Sequence, residues 1–214
     1  MRAIFKEQLL VLVPDTADEA DALELWKLEH AAHVLAVGGA DARSLELHDL
    51  GERAGACREP INIVSNSRDP VARMIGNFAT APFELDGQRY VAVESFWQGL
   101  KFERDSDRRR LAQYEGPRAR AEGDKQGYGA TVSYGGQEVA VGTWAHWQLM
   151  ERACRAKFAQ NAEAAAALLS TGDRPLTHIV RRDSKSIPGV IMADIWMRIR
   201  ADLRRSPGPS GTRR

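Results

Sequence analysis

Three residues in the middle of the chain have the types and the spacing of a small chemical cluster. Glu94 is followed four residues later by Gln98 and seven residues later by Lys101. If a helix begins near Val93, this spacing places all three side chains on one of its faces. A carboxylate beside an amide and an ammonium can stabilise positive charge, transfer a proton or bind a phosphate.

The alternative is an ordinary surface pair. Glutamate is favoured in a first helical turn by the helix dipole, and Glu with Lys on one face commonly pair in water. On the three residues alone, this is the simpler interpretation. However, the neighbours that surround the polar stripe are large and apolar, which is more typical of a site than of a surface: Phe96, Trp97, Leu100 and Phe102.

The sequence before the cluster predicts the elements that position it. Residues 77–82 read as a loop, and two short runs of alternating hydrophobicity follow it. Asp86-Gly87 joins these runs and strongly favours a tight hairpin turn. Further upstream, residues 61–64 predict a strand that ends at Ser65 and Asn66. These two side chains either form a turn or contact a ligand.

This central run closely resembles the pattern of the NADAR (YbiA-like) family. The matching residues, in order, are Asn77-Phe78, Pro82-Phe83, Asp86-Gly87, Tyr90, Glu94, Phe96-Trp97, Gln98 and Lys101-Phe102. A later segment also matches, at Met150, Ala156-Lys157-Phe158, Gln160, Asn161 and Thr171-Gly172-Asp173. The resemblance covers residues 58–205 and implies a mainly helical, compact α+β domain with short strands.

The resemblance also implies cleavage of an N-glycosidic bond without a metal or a cofactor. The implied substrates are small ribosylated nucleotides, either ribosylamino-pyrimidine phosphates of flavin biosynthesis or ADP-ribose on a guanine base. Nucleic acid enters only as such a modified substrate. Glu94 would stabilise the positively charged sugar and align or deprotonate water. Asp183 would assist as a second acid or base.

The remaining site residues implied by the resemblance bind the substrate. Trp97 and Phe78 would stack on the base or enclose the sugar, and Gln98 or Asn77 would bond its hydroxyls. Lys101 would hold a phosphate or lower the pKa of Glu94. The strand-end pair Ser65 and Asn66 completes this set.

The loop around Asp183 departs from the family pattern. Family members have an aspartate followed by a tryptophan-glycine loop and an asparagine, whereas this chain has Asp183-Ser184-Lys185-Ser186. A turn aspartate and a functional aspartate are equally good interpretations of Asp183. The altered loop supports a rival hypothesis, a non-catalytic module that binds ADP-ribose or a nucleotide.

A third hypothesis is an interaction protein that uses its N-terminal region and the arginine-rich residues 103–122. The arginines there are interleaved with acidic residues, which favours a solvated helical face over a nucleic-acid patch. Lys157, further along, is expected to be an exposed helix lysine.

Composition narrows the class of protein. The 214 residues are 43% hydrophobic, and 30 basic against 29 acidic residues give a net charge of +1, so global charge predicts no polyanion partner. No apolar run has membrane-spanning length.

Two cysteines provide no disulfide framework and indicate a reducing, cytoplasmic compartment. His30, His33 and His48 match no ligand spacing, so no metal is expected. Oligomeric state is not indicated.

Three regions are predicted along the chain. Residues 1–57 form a small α/β extension with a strand at 9–13, a helix from Thr16 to about Leu35 and a strand at 43–50. Residues 58–205 form the NADAR-like domain, with a hairpin around Gly135-Gly136, one long helix over 144–169 and a last helix over 188–205. Residues 206–214 read as a disordered tail.

Overall fold

A computed structural model of the chain describes residues 1–6, 9–30, 33–38, 46–52, 59–180, 184 and 186–205. The chain divides into two units, Met1–Glu59 and Pro60–Arg214. The predicted tail lies outside the described residues. No helix in the described ranges is both long enough and apolar enough to cross a membrane.

The first unit is built from two strand pairs and one helix. Its elements are β1 (Arg2–Lys6), β2 (Leu9–Val13), α1 (Ala17–His30), β3 (His33–Gly38) and β4 (Glu46–Glu52). β1 pairs with β2 and β3 pairs with β4, both antiparallel.

The predicted helix to Leu35 is therefore too long. α1 ends at His30, and Val34 and Leu35 belong to strand β3. The run His33–Gly38 is rich in valine, which suits a strand better than a helix, and its backbone groups pair with β4.

The second unit is mainly helical, with short strands between the helices. Its helices are α2 (Pro70–Ile75), α3 (Val93–Gly99), α4 (Asp105–Ala112), α5 (Gly116–Gly123), α6 (Trp144–Gln160), α7 (Ala162–Ser170) and α8 (Gly189–Arg205). Its strands are β5 (Ile61–Asn62), β6 (Phe83–Leu85), β7 (Gln88–Tyr90), β8 (Thr131–Tyr134), β9 (Gln137–Ala140) and β10 (Leu176–Thr177). This mixed architecture is the α+β class that was predicted.

The two hairpins of this unit follow from their turn residues. Asp86 and Gly87 both have positive φ, 50° and 77°, which closes β6 on β7 through a two-residue turn. Gly135 and Gly136, with φ of 58° and 77°, do the same for β8 and β9. β5 and β10 form a short parallel pair, which brings together residues more than a hundred positions apart in sequence.

The predicted long helix over 144–169 is two helices. α6 ends at Gln160, and Asn161 leaves the helical conformation with φ −122° and ψ 103°. The Asn161 side chain accepts a hydrogen bond from the Ala164 amide at 3.0 Å and so caps the start of α7. Asparagine is a good N-cap residue, so a new helix begins here.

Helix α3 lies at the centre of the second unit. All seven of its residues are buried, including the polar Glu94, Ser95 and Gln98. It packs against α4, α5 and α6. The polar side chains that sequence analysis singled out are thus held in the core, where each one needs a partner.

Candidate functional site

A cavity of about 1030 Å³ lies beside helix α3 in the second unit. Glu94 and Trp97 of α3 line it together with Asn77 and Phe78 of the loop after α2 and Arg120 of α5. The remaining lining residues are Ile63, Ser65, Gly76, Met150, His178, Val180, Ser184, Ile187, Met192 and Trp196. Seven segments, from the residues after β5 to α8, thus converge on one carboxylate, and apolar side chains form much of the wall.

Glu94 is buried, with 4% of its surface exposed, and hydrogen bonds hold both its backbone and its side chain. Its amide donates to the backbone oxygen of Asn77 at 3.0 Å, which ties α3 to the loop after α2. Gln98 Nε2, one turn further along α3, donates to Glu94 Oε1 at 2.7 Å. No other described residue donates a hydrogen bond to the Glu94 carboxylate, so Oε2 is left for a water or a ligand.

Arg120 is the cation that faces Glu94. Its Nη1 lies 3.8 Å from Glu94 Oε1, while its Nε is 2.9 Å from Asp124 Oδ1. Asp124 follows α5 by one residue, so the Arg120 guanidinium is held between a buried carboxylate and an exposed one. The acidic residues interleaved with the arginines of residues 103–122 predicted a solvated helical face there, so Arg120 was not predicted as a site residue.

The electrostatics of Glu94 follow from these contacts. Burial raises the pKa of the Glu94 carboxyl above its usual range, and the bond from Gln98 and the charges of Arg120 and Lys101 oppose this rise. Lys101 lowers the pKa of Glu94, as predicted, but the effect of burial is larger and the pKa is raised overall. A carboxylate with a raised pKa is a stronger base for a proton of water.

Lys101 does not share a helical face with Glu94. Helix α3 ends at Gly99, so Lys101 lies beyond it, and the predicted i, i+4, i+7 stripe stops at Gln98. Lys101 Nζ instead donates to the backbone oxygen of Gly123 at 2.8 Å. The α-helix ends here because the next amides form tighter turns. Those of Lys101 and Phe102 donate to the carbonyls of Gln98 and Gly99, three residues earlier.

Helix α5 approaches the site closely at both of its ends. A Cβ at Gly116 would lie 2.4 Å from the Cα of Phe78, and a Cβ at Gly123 would lie 1.9 Å from Gln98 Oε1. Both positions therefore require glycine. These contacts fix α5, and with it Arg120, against the loop and helix that carry the other site residues.

Lys157 is buried, which overturns the expectation of an exposed helix lysine. It is 0% exposed, and its Nζ donates to the backbone oxygens of Met74, Ile75 and Gly76 at 2.7, 3.0 and 2.9 Å. These carbonyls end α2, where the helix dipole favours a cation. Lys157 thereby anchors the chain just before Asn77.

Trp97 forms part of the cavity wall and is itself held by aromatic neighbours. The His146 ring stacks on it with centroids 4.4 Å apart, and Tyr128 Oη donates to the Trp97 backbone oxygen at 3.1 Å. Burial lowers the pKa of His146 to about 4, so the imidazole is neutral near pH 7. His146 therefore supports Trp97 as an uncharged ring.

The sequence-predicted site residues fall into four groups. Ser65, Asn77, Phe78, Glu94 and Trp97 line the main cavity. Gln98 and Lys101 line an adjoining compartment of about 410 Å³. Asn66 is exposed and lines neither space. Asp183 lies outside the described residues, so its role stays a prediction.

Arg120, His178 and Trp196 reach the cavity without a local signal in the sequence. Arg120 and Trp196 lie in helices and His178 directly follows β10, and only tertiary packing brings them to the cavity that Glu94 lines. Gly116 and Gly123 flank Arg120 in the sequence, but they flank Arg118 as well and so do not distinguish Arg120. Among the described residues, no three His, Cys, Asp or Glu side chains come together in a way that could hold a metal ion.

Comparisons with known proteins find a solved structure with a similar fold and a protein family to which the chain belongs. The NMR structure of the E. coli protein YbiA is similar to this chain, with a TM-score of 0.51 and 24% sequence identity over 68% of this chain and 84% of that one. This likeness supports the YbiA-like fold. No curated protein sequence matches the chain. The model of the family described as bacteriophage protein GP30.3, which is related to the NADAR clan, matches residues 70–196. The chain belongs to the bacteriophage protein GP30.3 family.

Proposed function

We propose that this protein is a hydrolase that cleaves the N-glycosidic bond of a ribosylated base. The substrate class is a ribosylamino-pyrimidine phosphate or an ADP-ribosylated guanine. One observation carries the proposal: a buried carboxylate of raised pKa, Glu94, lines a cavity of about 1030 Å³ beside an arginine and a tryptophan. Such a cavity is large enough for a nucleotide-sized ligand.

The chemistry of N-glycoside hydrolysis matches this arrangement. As the bond from the anomeric carbon to the base nitrogen breaks, its electron pair leaves with the base and positive charge develops on the sugar. The Glu94 carboxylate stabilises that charge. A water then adds its oxygen to the anomeric carbon and gives a proton to Glu94, while Asp183, the proposed second acid, gives a proton to the base nitrogen.

The other lining residues have roles that follow from their chemistry. Trp97 and Phe78 offer flat apolar surfaces for the base, and stacking on an aromatic ring tolerates either a pyrimidine or a purine. Asn77 Oδ1 is buried with no partner among the described residues, so it can accept a bond from a sugar hydroxyl. The charge of Arg120 opposes the rise in the pKa of Glu94 that burial causes.

A non-catalytic nucleotide-binding module is the second candidate function. Glu94 is the only carboxylate among the described residues that line the cavity, whereas most glycosidases use a pair. If Asp183 is not the second acid, leaving of the base lacks a proton donor and the cavity serves binding alone.

Release of base and ribose product, detected by mass spectrometry, tests the proposal. Purified protein is offered a ribosylamino-pyrimidine phosphate and an ADP-ribosylated guanine oligonucleotide. We expect Glu94→Gln to lower turnover by about a hundredfold or more with little change in ligand affinity, since a general base typically contributes about 10²–10⁴-fold. Glu103→Gln, at an exposed position outside the cavity, is the matched control.

The outcomes separate the candidates. Release that is lost in Glu94→Gln and kept in Glu103→Gln supports the hydrolase and identifies its substrate. Tight binding without release supports the binding module. Asp183→Asn adds a further distinction, because a second acid or base predicts a comparable loss there and a turn aspartate predicts none. Binding of neither ligand overturns both candidates and favours the interaction protein.

A further inference from the structure

His178 lies where the short parallel strand pair of the second unit ends at the main cavity. β10 pairs with β5, with Leu176 opposite Ile61 and Thr177 opposite Asn62. His178 is the next residue, and because side chains alternate along a strand, it lies on the same face as the buried Leu176. It lines the main cavity, and the proposed reaction leaves it without a role.

The Asn62 side chain clamps the backbone that carries His178. Its Oδ1 accepts from the Ile179 amide at 2.8 Å, and its Nδ2 donates to the Ile179 oxygen at 3.0 Å. The Ile63 amide also donates to the Thr177 oxygen at 2.9 Å, so hydrogen bonds hold the chain on both sides of His178. The strand pair therefore fixes the position of His178 before a ligand arrives, which reduces the entropy lost on binding.

The imidazole ring of His178 also has a fixed orientation. Nδ1 lies 2.5 Å from the backbone oxygen of Ile63, and the ring packs against Trp196 with centroids 5.6 Å apart and an interplanar angle of 84°. A carbonyl oxygen only accepts, so Nδ1 carries the hydrogen. In the neutral imidazole, Nε2 is then a hydrogen-bond acceptor.

This acceptor is unused and within reach of a ligand. Nε2 of His178 has no partner among the described residues. The residue is half-buried, and Nε2 is not one of the unpartnered polar atoms that are sealed from solvent. A ligand in the main cavity can therefore donate a hydrogen bond to it.

The surroundings of His178 differ from those of Glu94. Arg120 and the side-chain amide of Gln98 lie beside Glu94. The described side-chain contacts of His178 are instead with the Ile63 backbone and the Trp196 ring. The residues that follow His178 and those of α8 add a mostly apolar wall, formed by Val180, Ile187, Met192 and Trp196. A sugar with several hydroxyls suits the polar side, and a flat heterocycle suits the apolar side.

We propose that His178 is a specificity-determining residue whose Nε2 accepts a hydrogen bond from an amino group on the base of the ligand. The inference rests on the proposed function, in that the base it selects is the one whose glycosidic bond Glu94 helps to break. A fixed acceptor favours a base that carries an amino group at its edge, as guanine does. A base without that group covers Nε2 and displaces its water without replacing the hydrogen bond.

Calorimetric binding of four nucleoside monophosphates tests the inference without requiring turnover. One pair is guanosine and inosine monophosphate, and the other is cytidine monophosphate and its analogue that lacks the amino group. Within each pair only the amino group differs, so a difference in affinity reports that group. At pH 8, where an imidazole is ordinarily neutral, we expect the amino-bearing member of at least one pair to bind about threefold to tenfold more tightly, the range of one neutral hydrogen bond. The pair that shows the preference identifies the base as a purine or a pyrimidine.

Two substitutions separate base selection from support of the fold. In His178→Asn the side-chain amide can replace Nδ1 in the bond to the Ile63 oxygen, but no atom replaces Nε2. We expect the preference to disappear there, with little change in affinity for the analogue without the amino group. In His178→Gln the longer side chain can place its amide oxygen near the position of Nε2, so part of the preference should remain. Ile179→Asn is the matched control, because it introduces the same side chain at an adjacent, exposed position outside the cavity.

Equal affinities within both pairs in the wild type would overturn the inference, as would binding of none of the four probes. An equal loss for both members of a pair in His178→Asn would show a structural role and overturn it as well. The proposed function fails separately. If a ribosylated substrate releases its base although neither pair shows a preference, the hydrolase stands and base selection by His178 does not. If the preference is present, is lost in His178→Asn, and no base is released, base selection stands without the hydrolase.

Discussion

Gly123 lies against the side chain of Gln98 so closely that a methyl group at position 123 would be 1.9 Å from Oε1 and 2.8 Å from Cβ of Gln98. Rotation of the amide alone cannot relieve both contacts. Since Gln98 Nε2 holds the Glu94 carboxylate, the absence of a side chain on α5 determines where the carboxylate on α3 points.

Replacement of Gly123 by alanine should therefore damage the site through Gln98. We expect Gly123→Ala to lower the free energy of unfolding by about 1–3 kcal/mol, as overpacking of a core usually does. Base release should fall about tenfold or more, because small displacements of catalytic groups have effects of this size or larger. Thermal unfolding and the mass-spectrometric assay measure the two effects. Gly127→Ala is the control, because no atom lies within 4 Å of a Cβ there; equal behaviour of the two variants would contradict the prediction.

The pH dependence of base release should report the contact between Arg120 and Glu94. Burial raises the pKa of Glu94, and Arg120 opposes the rise. If the ionised carboxylate is the active form, activity increases as pH rises through this pKa. Arg120→Gln removes the opposing charge, so the acidic limb of the profile should move to higher pH. Arg110→Gln, which removes an exposed arginine paired with Asp107, should leave the limb in place. An unmoved limb in Arg120→Gln would show that the two charges are not coupled.

Glu94 should also affect stability, with a defined sign. Its pKa in the folded protein lies above the ordinary value of 4.5, so the folded state holds the proton more tightly than the unfolded state does. The free energy of unfolding from this group therefore falls as pH rises from about 4.5 through the folded-state pKa, by at most about 1.4 kcal/mol per pH unit. Denaturant unfolding at several pH values should show a shallower decline in Glu94→Gln than in wild type. Identical slopes would contradict the raised pKa.

Lys157 should stabilise the end of α2 and the loop that carries Asn77, without acting on the Glu94 carboxylate. Burial lowers its pKa to about 8, so it is still mainly protonated at pH 7 and can donate all three of its bonds. Lys157→Met leaves the carbonyls of Met74, Ile75 and Gly76 without this donor. We expect a loss of about 2–4 kcal/mol in the free energy of unfolding, since unsatisfied buried groups cost about 1–3 kcal/mol each and the buried charge is removed at the same time.

Hydrogen exchange distinguishes this anchoring role from general destabilisation. In Lys157→Met the amides of the 74–78 segment should exchange faster than the remaining protected amides, beyond what the global loss explains. Lys125→Met, at an exposed position, should change stability by about 0.5 kcal/mol or less. Uniform acceleration across the second unit would indicate that Lys157 supports the core and not the loop.

Local patterns in the sequence predicted the local parts of this fold. The hairpins at Asp86-Gly87 and Gly135-Gly136 form because their turn residues adopt positive φ regardless of what packs around them. The face of α3 from Glu94 to Gln98 was also predictable, because helical spacing is a property of the segment itself. The α1 boundary and the break at Asn161 were not predicted, since both depend on which competing structure the neighbouring residues complete.

The long-range contacts of the site could not be predicted from the sequence. Lys157 lies on the same helical face as the buried Met150 and Cys154, but only the position of the α2 end shows the internal carbonyls to which its ammonium donates. Arg120 sits among five other arginines of residues 103–122, and nothing local distinguishes it from them. It reaches Glu94 because Gly116 and Gly123 let α5 lie close to the loop and to α3.

The complete burial of α3 constrains how the site can change. A helix with no solvent-facing residue accepts few substitutions, so its carboxylate and amide are tied to the integrity of the domain. Helix α5 on the other side of the cavity can accept more substitutions, because Arg120 is half exposed and only Gly116, Ala119 and Gly123 of this helix are buried. Relatives of this protein that act on different bases should therefore differ along α5 and the residues after β10. Substitutions in those two segments can change which ligand binds without disturbing the buried helix α3 that carries Glu94.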